Sequence, residues 1–184
     1  GQSKLMVETM LRDICAVHDI NATCFRYFNA AGADPSGSIG EAHDPETHLI
    51  PNILKSTISG GSVLKVFGND YETRDGTCVR DYVHVTDLAQ AHLLGLEHMK
   101  HNRGFSAFNL GNGSGFSVLD VIRSCERVVK NTIPYDLDFR RAGDPARLVA
   151  DSSAAIREIS WEPKFSDLDT LIESAWKWHT SLNI

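Results

Sequence analysis

Residues 22–28 read Ala-Thr-Cys-Phe-Arg-Tyr-Phe. β-Branched and aromatic side chains dominate this run, and they pack well on a pleated surface, so the segment is predicted to be a strand. It follows residues 4–18, where apolar positions recur at helical spacing. Val7, Leu11 and Ile14 form one stripe, and Met6, Met10 and Val17 form a second. Two stripes predict a helix covered on two sides, as between a sheet and a partner helix. A helix feeding such a strand is one step of a parallel α/β sheet. The strand expects further parallel strands beside it.

Working outward, residues 29–48 form a long irregular stretch rich in Gly, Asp, Pro and Ser, and loops of that length are commonly functional. Leu49 to Ser59 reads as a helix stopped by Gly60-Gly61, Val63 to Phe67 as a short strand and residues 68–77 as turns. Val79 to His84 is one extended run. Thr86 or Asp87 then caps a helix with Leu88, His92, Gly95 and Met99 on one face. Phe105 to Leu110 is a strand ending in Gly111-Asn112-Gly113-Ser114-Gly115. The spacing of that glycine run differs from the dinucleotide fingerprint, so it is expected to be a strand-to-helix turn lining the substrate cleft. Ser117 caps a helix with Val118, Val121, Ile122, Cys125, Val128 and Val129 at i, i+3, i+4 and i+7 positions. A strand at residues 135–139, a short helix at 152–159 and a last helix from Ser166 complete the reading. That last helix buries Leu168, Leu171, Ile172, Ala175 and Trp178. Only Ala22–Phe28 and Phe105–Leu110 suit a parallel sheet, and the other short strands are assigned to a smaller lobe.

The 184 residues carry 18 basic and 24 acidic side chains, a net charge of −6. That balance argues against a nucleic-acid or membrane-surface partner held by bulk charge, so an anionic ligand must meet a few placed arginines. No apolar run approaches the roughly 20 residues of a membrane helix. Cys15, Cys24, Cys78 and Cys125 are scattered without a Cys-x-x-Cys pair, which predicts reduced thiols in a cytoplasmic protein. His98 and His101 lie three residues apart in a polar stretch that reads as a solvated helix end, and no metal site is expected.

Three clusters carry candidate chemistry. Arg26-Tyr27-Phe28-Asn29 sits at the C-terminal end of a strand, where open α/β sheets bind ligands, although an Asn there also suits a turn. In Asp75-Gly76-Thr77-Cys78-Val79-Arg80-Asp81-Tyr82-Val83-His84-Val85, Arg80 and Tyr82 can face one side. Arg80 can equally pair with Asp81 or Asp87 at the surface. Arg140-Arg141-Ala142-Gly143-Asp144-Pro145 can present a guanidinium fork to a diphosphate and a carboxylate to a ribose, or form an exposed basic turn.

Gly1-Gln2-Ser3-Lys4 resembles the tail of the Tyr-x-x-x-Lys motif of the short-chain dehydrogenase/reductase superfamily, with the tyrosine falling just before Gly1. Lys4, then RYFN, DGTCVRDYVHVTDLA, NLGNG-x-GFSVLDVI, RRAGDPA and W-x-P form an ordered series along the chain. Together they resemble the UDP-glucose 4-epimerases, NAD-dependent sugar-nucleotide enzymes of the extended group. Phe67-Gly68-Asn69-Asp70-Tyr71 leading into residues 75–85 discriminates best among related enzymes.

The resemblance implies an α/β fold, the C-terminal part of a Rossmann-like doubly wound parallel sheet with a small α/β substrate-binding domain. Residues 1–29 would end the NAD-binding domain. Residues 30–184 would mainly form the UDP-sugar domain, with 79–116 returning a strand and helix to the first sheet. Lys4 looks like the lysine that holds the nicotinamide ribose and tunes the neighbouring tyrosine. Tyr27 and Phe28 resemble the pair beside the nicotinamide, and Asn29 the side chain on the diphosphate. Leu49 sits where a loop backbone meets the nucleotide; the preceding His48 stands where several members carry Asn. Lys65, Val66 and Phe67 resemble the strand that receives the uracil. Arg80 and Arg141 look like the diphosphate arginines, Tyr82 lies beside Arg80 in the same motif, and Asp144 resembles the ribose carboxylate. Leu148 falls where the hexose pocket is bounded, and its bulk predicts a preference for UDP-glucose and UDP-galactose over N-acetylated sugars.

The implied reaction inverts C4 of a UDP-hexose through a 4-keto sugar that rotates and is reduced again, with NAD as cofactor. The tyrosine and the NAD glycine motif are missing from these 184 residues, so the chain alone is expected to be inactive. A homodimer of the full-length protein through helices including the first is also implied. The alternatives are a related enzyme, such as a UDP-glucuronate epimerase or a dehydratase, and a non-catalytic UDP-sugar-binding module.

Overall fold

The computed structural model describes residues 1–60 and 63–182. In chain order the elements are α1 (Gln2–Val17), β1 (Ala22–Tyr27), β2 (Asn29–Ala31), α2 (Leu49–Ile58), β3 (Leu64–Phe67), β4 (Val79–Arg80), β5 (Tyr82–His84), α3 (Val85–His101), β6 (Phe105–Leu110), β7 (Phe116–Ser117), α4 (Val118–Val129), β8 (Tyr135–Asp138), β9 (Arg147–Leu148), α5 (Ser153–Ile159) and α6 (Leu168–Ser181).

β1 and β6 pair in parallel, from Ala22 opposite Phe105 to Tyr27 opposite Leu110. The expected parallel pair therefore forms, but parallel pairing is wider than expected. β2 pairs with β5, β3 with β8 and β4 with β9, all parallel, while β4 and β7 run antiparallel. The run at 79–84 is not one strand. Its first half joins β7 and β9 and its second half joins β2, so Asp81 sits at the switch between two sheets. The strand read over 22–28 breaks in the same way. It ends at Tyr27, and Asn29 opens β2 on a different partner, inside what the composition suggested was loop. Which strand lies beside which is decided by residues far apart in sequence, and local propensity carries no trace of it.

Two cores result. In one, α2, α4 and α6 pack together through Ile53, Leu54, Val121, Ile122, Leu171 and Ile172, all essentially inaccessible. α4 starts with a reciprocal capping box: the Ser117 hydroxyl accepts from Asp120 N, and the Asp120 carboxylate accepts from Ser117 N. In the other, α3 and α5 cover β6 through Leu88, Ala91, Phe108, Leu110, Ala155 and Trp161. Gly95 of α3 faces the Phe25 ring so closely that a Cβ would lie 2.6 Å from Phe25 Cζ; its lack of a side chain sets the helix-to-sheet distance.

Two helix starts differ from the spacing-based reading, and one helix stop is not fully described. The Gly60-Gly61 stop lies partly outside the described residues, because Gly61 is not among them. α3 starts at Val85, capped by the His84 ring, whose Nδ1 accepts from Thr86 N at 3.1 Å. Asp87 does not cap; its buried carboxylate accepts from Lys164 N and Phe165 N, both at 2.9 Å, and its carbonyl accepts the Trp161 indole N–H at 2.9 Å. α6 starts at Leu168 with Asp167 as cap. The double apolar stripe of α1 is not covered on both sides: Cys15 is its one buried residue, and Leu5, Met6, Val7, Met10 and Val17 are more than half exposed.

Candidate functional site

A cleft of about 470 Å³ opens between the β2–β5 pair, the start of α2, the strand β3 and the turn at 140–144. Asn29, Leu49, Lys65, Val66, Phe67, Arg80, Tyr82, Arg141 and Asp144 all line it, although they come from stretches more than 100 residues apart. Their side chains are held in different ways. Asn29 Nδ2 donates to the carbonyl of Asp81 at 2.7 Å, which fixes the amide. Lys65 Nζ lies 3.3 Å from Asp138 Oδ2. Arg80 is largely buried and ion-pairs with Asp144, while its guanidinium also donates to the carbonyls of Val79 at 2.6 Å and Pro145 at 2.9 Å. The partner of Arg80 is thus neither Asp81 nor Asp87. The Arg141 guanidinium lies 4.1 Å from the centre of the Phe67 ring, a cation–π contact. Among the described residues Arg141 has no ion-pair partner. Burial pushes the Tyr82 phenol well above its ordinary range, so it is neutral at physiological pH. Burial also raises the Cys78 thiol beneath it.

Four of the sequence-predicted residues lie off this cleft. Lys4 is exposed on the first turn of α1. Tyr27, 53% exposed, and Phe28 sit at the C-terminal end of β1 immediately before Asn29. Leu148 is exposed in β9, opposite Arg80. The Gly111–Gly115 turn does not line the cleft either, contrary to the expectation from sequence. A Cβ on Gly111 would stand 2.5 Å from Ala150 Cβ and 2.6 Å from Asp81 Oδ2, so the turn is packed against protein.

From sequence Asp81 stood only as a possible surface partner of Arg80, and it is neither at the surface nor paired with that residue. Its carboxylate is inaccessible and accepts three backbone N–H groups, from Asn112 at 2.8 Å, Gly113 at 2.9 Å and Ala150 at 3.0 Å. Its own N–H donates to Leu148 O at 3.1 Å, and its carbonyl takes Asn29. A carboxylate buried with three donors needs no cation to be stable there. Asp81 thereby sets the positions of Arg80 and Tyr82 on either side of it. The signal for it was a glycine turn whose free N–H groups demand an acceptor. His84 was also missed. Nδ1 accepts from Thr86 N, so Nε2 carries the proton and donates to Ser174 Oγ at 3.1 Å, which in turn donates to Leu171 O at 2.9 Å. Burial lowers the pKa of this ring, and the neutral tautomer joins α3 to α6.

Parallel βα steps and a cleft lined by two arginines, a tyrosine and an aromatic strand make this an α/β protein with a crevice of the kind in which open sheets hold ligands. The profile of the NAD dependent epimerase/dehydratase family matches residues 1–111, and the chain belongs to that family. It is 48% identical over 179 residues to a UDP-glucose 4-epimerase of Halalkalibacterium halodurans, covering 97% of this chain and 54% of that one. The crystal structure of UDP-glucose 4-epimerase from Brucella ovis in complex with NAD is 46% identical with a TM-score of 0.90, covering 95% of this chain and 54% of that one. The enzyme from Bifidobacterium longum, in complex with NAD+ and UDP, is 38% identical with a TM-score of 0.90, covering 98% and 54%. The chain spans about half the length of the curated relatives it matches. No described helix is long and apolar enough to cross a membrane.

Proposed function

We propose that the chain is the UDP-hexose-binding part of a UDP-glucose 4-epimerase, which interconverts UDP-glucose and UDP-galactose at C4. The observation that carries this reading is the convergence of Arg80 and Arg141 on one cleft with Phe67, Asn29 and Asp144. Two guanidinium groups suit a diphosphate, because each can donate two N–H bonds to anionic oxygens. Phe67 offers a ring face to a base, and Asp144 an acceptor to ribose hydroxyls. Leu148, across β4 from this group, is assigned to bounding the hexose.

NAD, when bound, supplies the redox chemistry at C4. The residues that fit it are those at the nicotinamide end: exposed Lys4 on α1, and Tyr27 and Phe28 at the end of β1 beside the cleft residue Asn29. The Gly111–Gly115 turn does not fit a pyrophosphate, since Asp81 already occupies the N–H groups of Asn112 and Gly113. We assign residues 1–29 with 79–116 to the NAD-binding lobe and the remainder of 30–184 to the UDP-sugar lobe; α5 and Trp161 of the second segment pack on the core of α3 and β6, and Tyr82 packs in the core of α2, α4 and α6. We further propose a homodimer of the whole protein, to which the exposed apolar stripe of α1 contributes, and a cytoplasmic location consistent with four free cysteines.

Calorimetric titration of the chain with UDP tests the assignment. One equivalent binds, and Arg141→Ala weakens binding by about 10–100-fold, the value of a charge-assisted hydrogen bond. A folded chain that ignores UDP, or an R141A variant that binds equally well, refutes it.

A further inference from the structure

We propose that Glu41, His43, Glu46 and His48 form a site for one divalent transition-metal ion of the zinc type, on the wall of the cleft. All four lie in the loop between β2 and α2, and one donor atom of each is within 4.8 Å of every other. His43 Nδ1 is 2.7 Å from Glu41 Oε1, and His48 Nδ1 is 2.9 Å from both Glu41 Oε1 and Glu46 Oε1. Around a tetrahedral zinc ion with ligands at about 2.0–2.2 Å, donors stand roughly 3.4 Å apart. The three direct contacts are about 0.5–0.7 Å shorter than that, and no donor pair is wider than 4.8 Å, so small side-chain rotations close the cage.

The chemistry of the set points the same way. Two imidazole nitrogens and two carboxylate oxygens are zinc ligands, and Glu46 can offer Oε1 to the ion while Lys55 Nζ stays 3.4 Å from its Oε2. A single Nδ1–H on His48 faces two carboxylate oxygens and cannot satisfy both well. An ion at that point meets both, and the imidazole proton moves to Nε2. The two rings are 5.1 Å apart and tilted by 59°, as around a common centre. Supporting contacts already hold the ligands. Thr47 N and His48 N donate to Glu46 Oε1 at 2.8 and 2.9 Å, and Lys55 Nζ donates to the His43 carbonyl at 3.3 Å. The Trp178 indole donates to the Glu41 carbonyl at 2.8 Å. Such outer contacts fix ligand orientation before the ion arrives. Because Glu41 and His48 line the cleft, the ion would staple the loop to the start of α2 and set the shape of that wall.

Cobalt(II) titration of the full chain tests this. The expected result is the intense visible spectrum of tetrahedral Co(II) saturating at one equivalent and bleached by Zn(II). His43→Gln and His48→Gln should each weaken binding by at least about tenfold, with circular dichroism unchanged. His101→Gln, whose ring meets Glu97 on α3, should have no effect. Absence of these bands, or bands that persist in the folded H43Q/H48Q double variant, overturns the proposal. Histidine 15N NMR of the unsubstituted chain decides independently of variant folding. Zn(II) must move the Nδ1 signals of two histidines, and a spectrum in which none or most of the eight respond overturns it as well.

Discussion

Replacing Asp81 by alanine removes the acceptor of three buried backbone N–H groups at 2.8–3.0 Å. A hydrogen bond to an ionised partner contributes about 1.5–3 kcal/mol. Three in full would exceed what breaking one buried polar network usually costs, about 3–5 kcal/mol, because water enters the gap and the loops relax. We therefore expect about 4 kcal/mol of destabilisation. For a chain of this size each kcal/mol lowers Tm by about 2–4 °C, so the midpoint should fall by about 8–16 °C. Asp81→Asn keeps one acceptor oxygen but turns an NH2 group toward a backbone donor, and about 2 kcal/mol is expected. Asp19→Ala, which breaks an exposed pair with Arg103, serves as control and should lie within about 0.5 kcal/mol of the parent. Urea titration followed by circular dichroism gives all three values. A D81A variant within about 1 kcal/mol of the parent would refute the assignment of Asp81 as the joint between the sheets.

Gly111→Ala should destabilise by about 2–3 kcal/mol through overpacking against Ala150 and Asp81. Gly104→Ala, where nothing lies within 4 Å but φ is +89°, should cost only the left-handed backbone penalty, about 1 kcal/mol, in the same urea assay. The pH dependence follows from His84 and His179, both lowered by burial. The unfolded chain takes up their protons first, so stability is complete above the ordinary histidine value of about 6.5 and is lost as pH falls through it. His84→Asn can still cap Thr86 but removes one of the two groups. Its urea midpoint should decline less between about pH 7 and 5, and an equal decline would contradict the neutral buried ring.

Much of the lining of the candidate cleft was legible because its residues advertise themselves. Arg80, Arg141 and Asp144 are charged residues in turn-rich or alternating contexts, and the cleft brings them together. Helices were legible where the period was strong, as in α4, whose Val121, Ile122 and Cys125 are fully buried. What could not be read is non-local. Nothing at residues 79–84 announces that Val79 pairs with Arg147 while Tyr82 pairs with Asn29, 50 residues away in either direction at least. The apolar stripe of α1 predicted burial that the described residues do not supply. His98 and His101 are the histidine pair most visible in the sequence, yet His98 Nε2 faces Ser106 Oγ at 3.2 Å, and it is the Glu-x-His-x-x-Glu-x-His run at 41–48 that draws its four side chains together.

The switch at Asp81 has a mechanical side. Tyr82 belongs to the core of α2, α4 and α6, and its neighbour Val83 to the core of α3, α5 and β6. Adjacent residues on a strand point to opposite faces, so β5 is a shared wall rather than a hinge. Neither core can lose its packing there without disturbing the other. The two cores should consequently unfold as one cooperative unit.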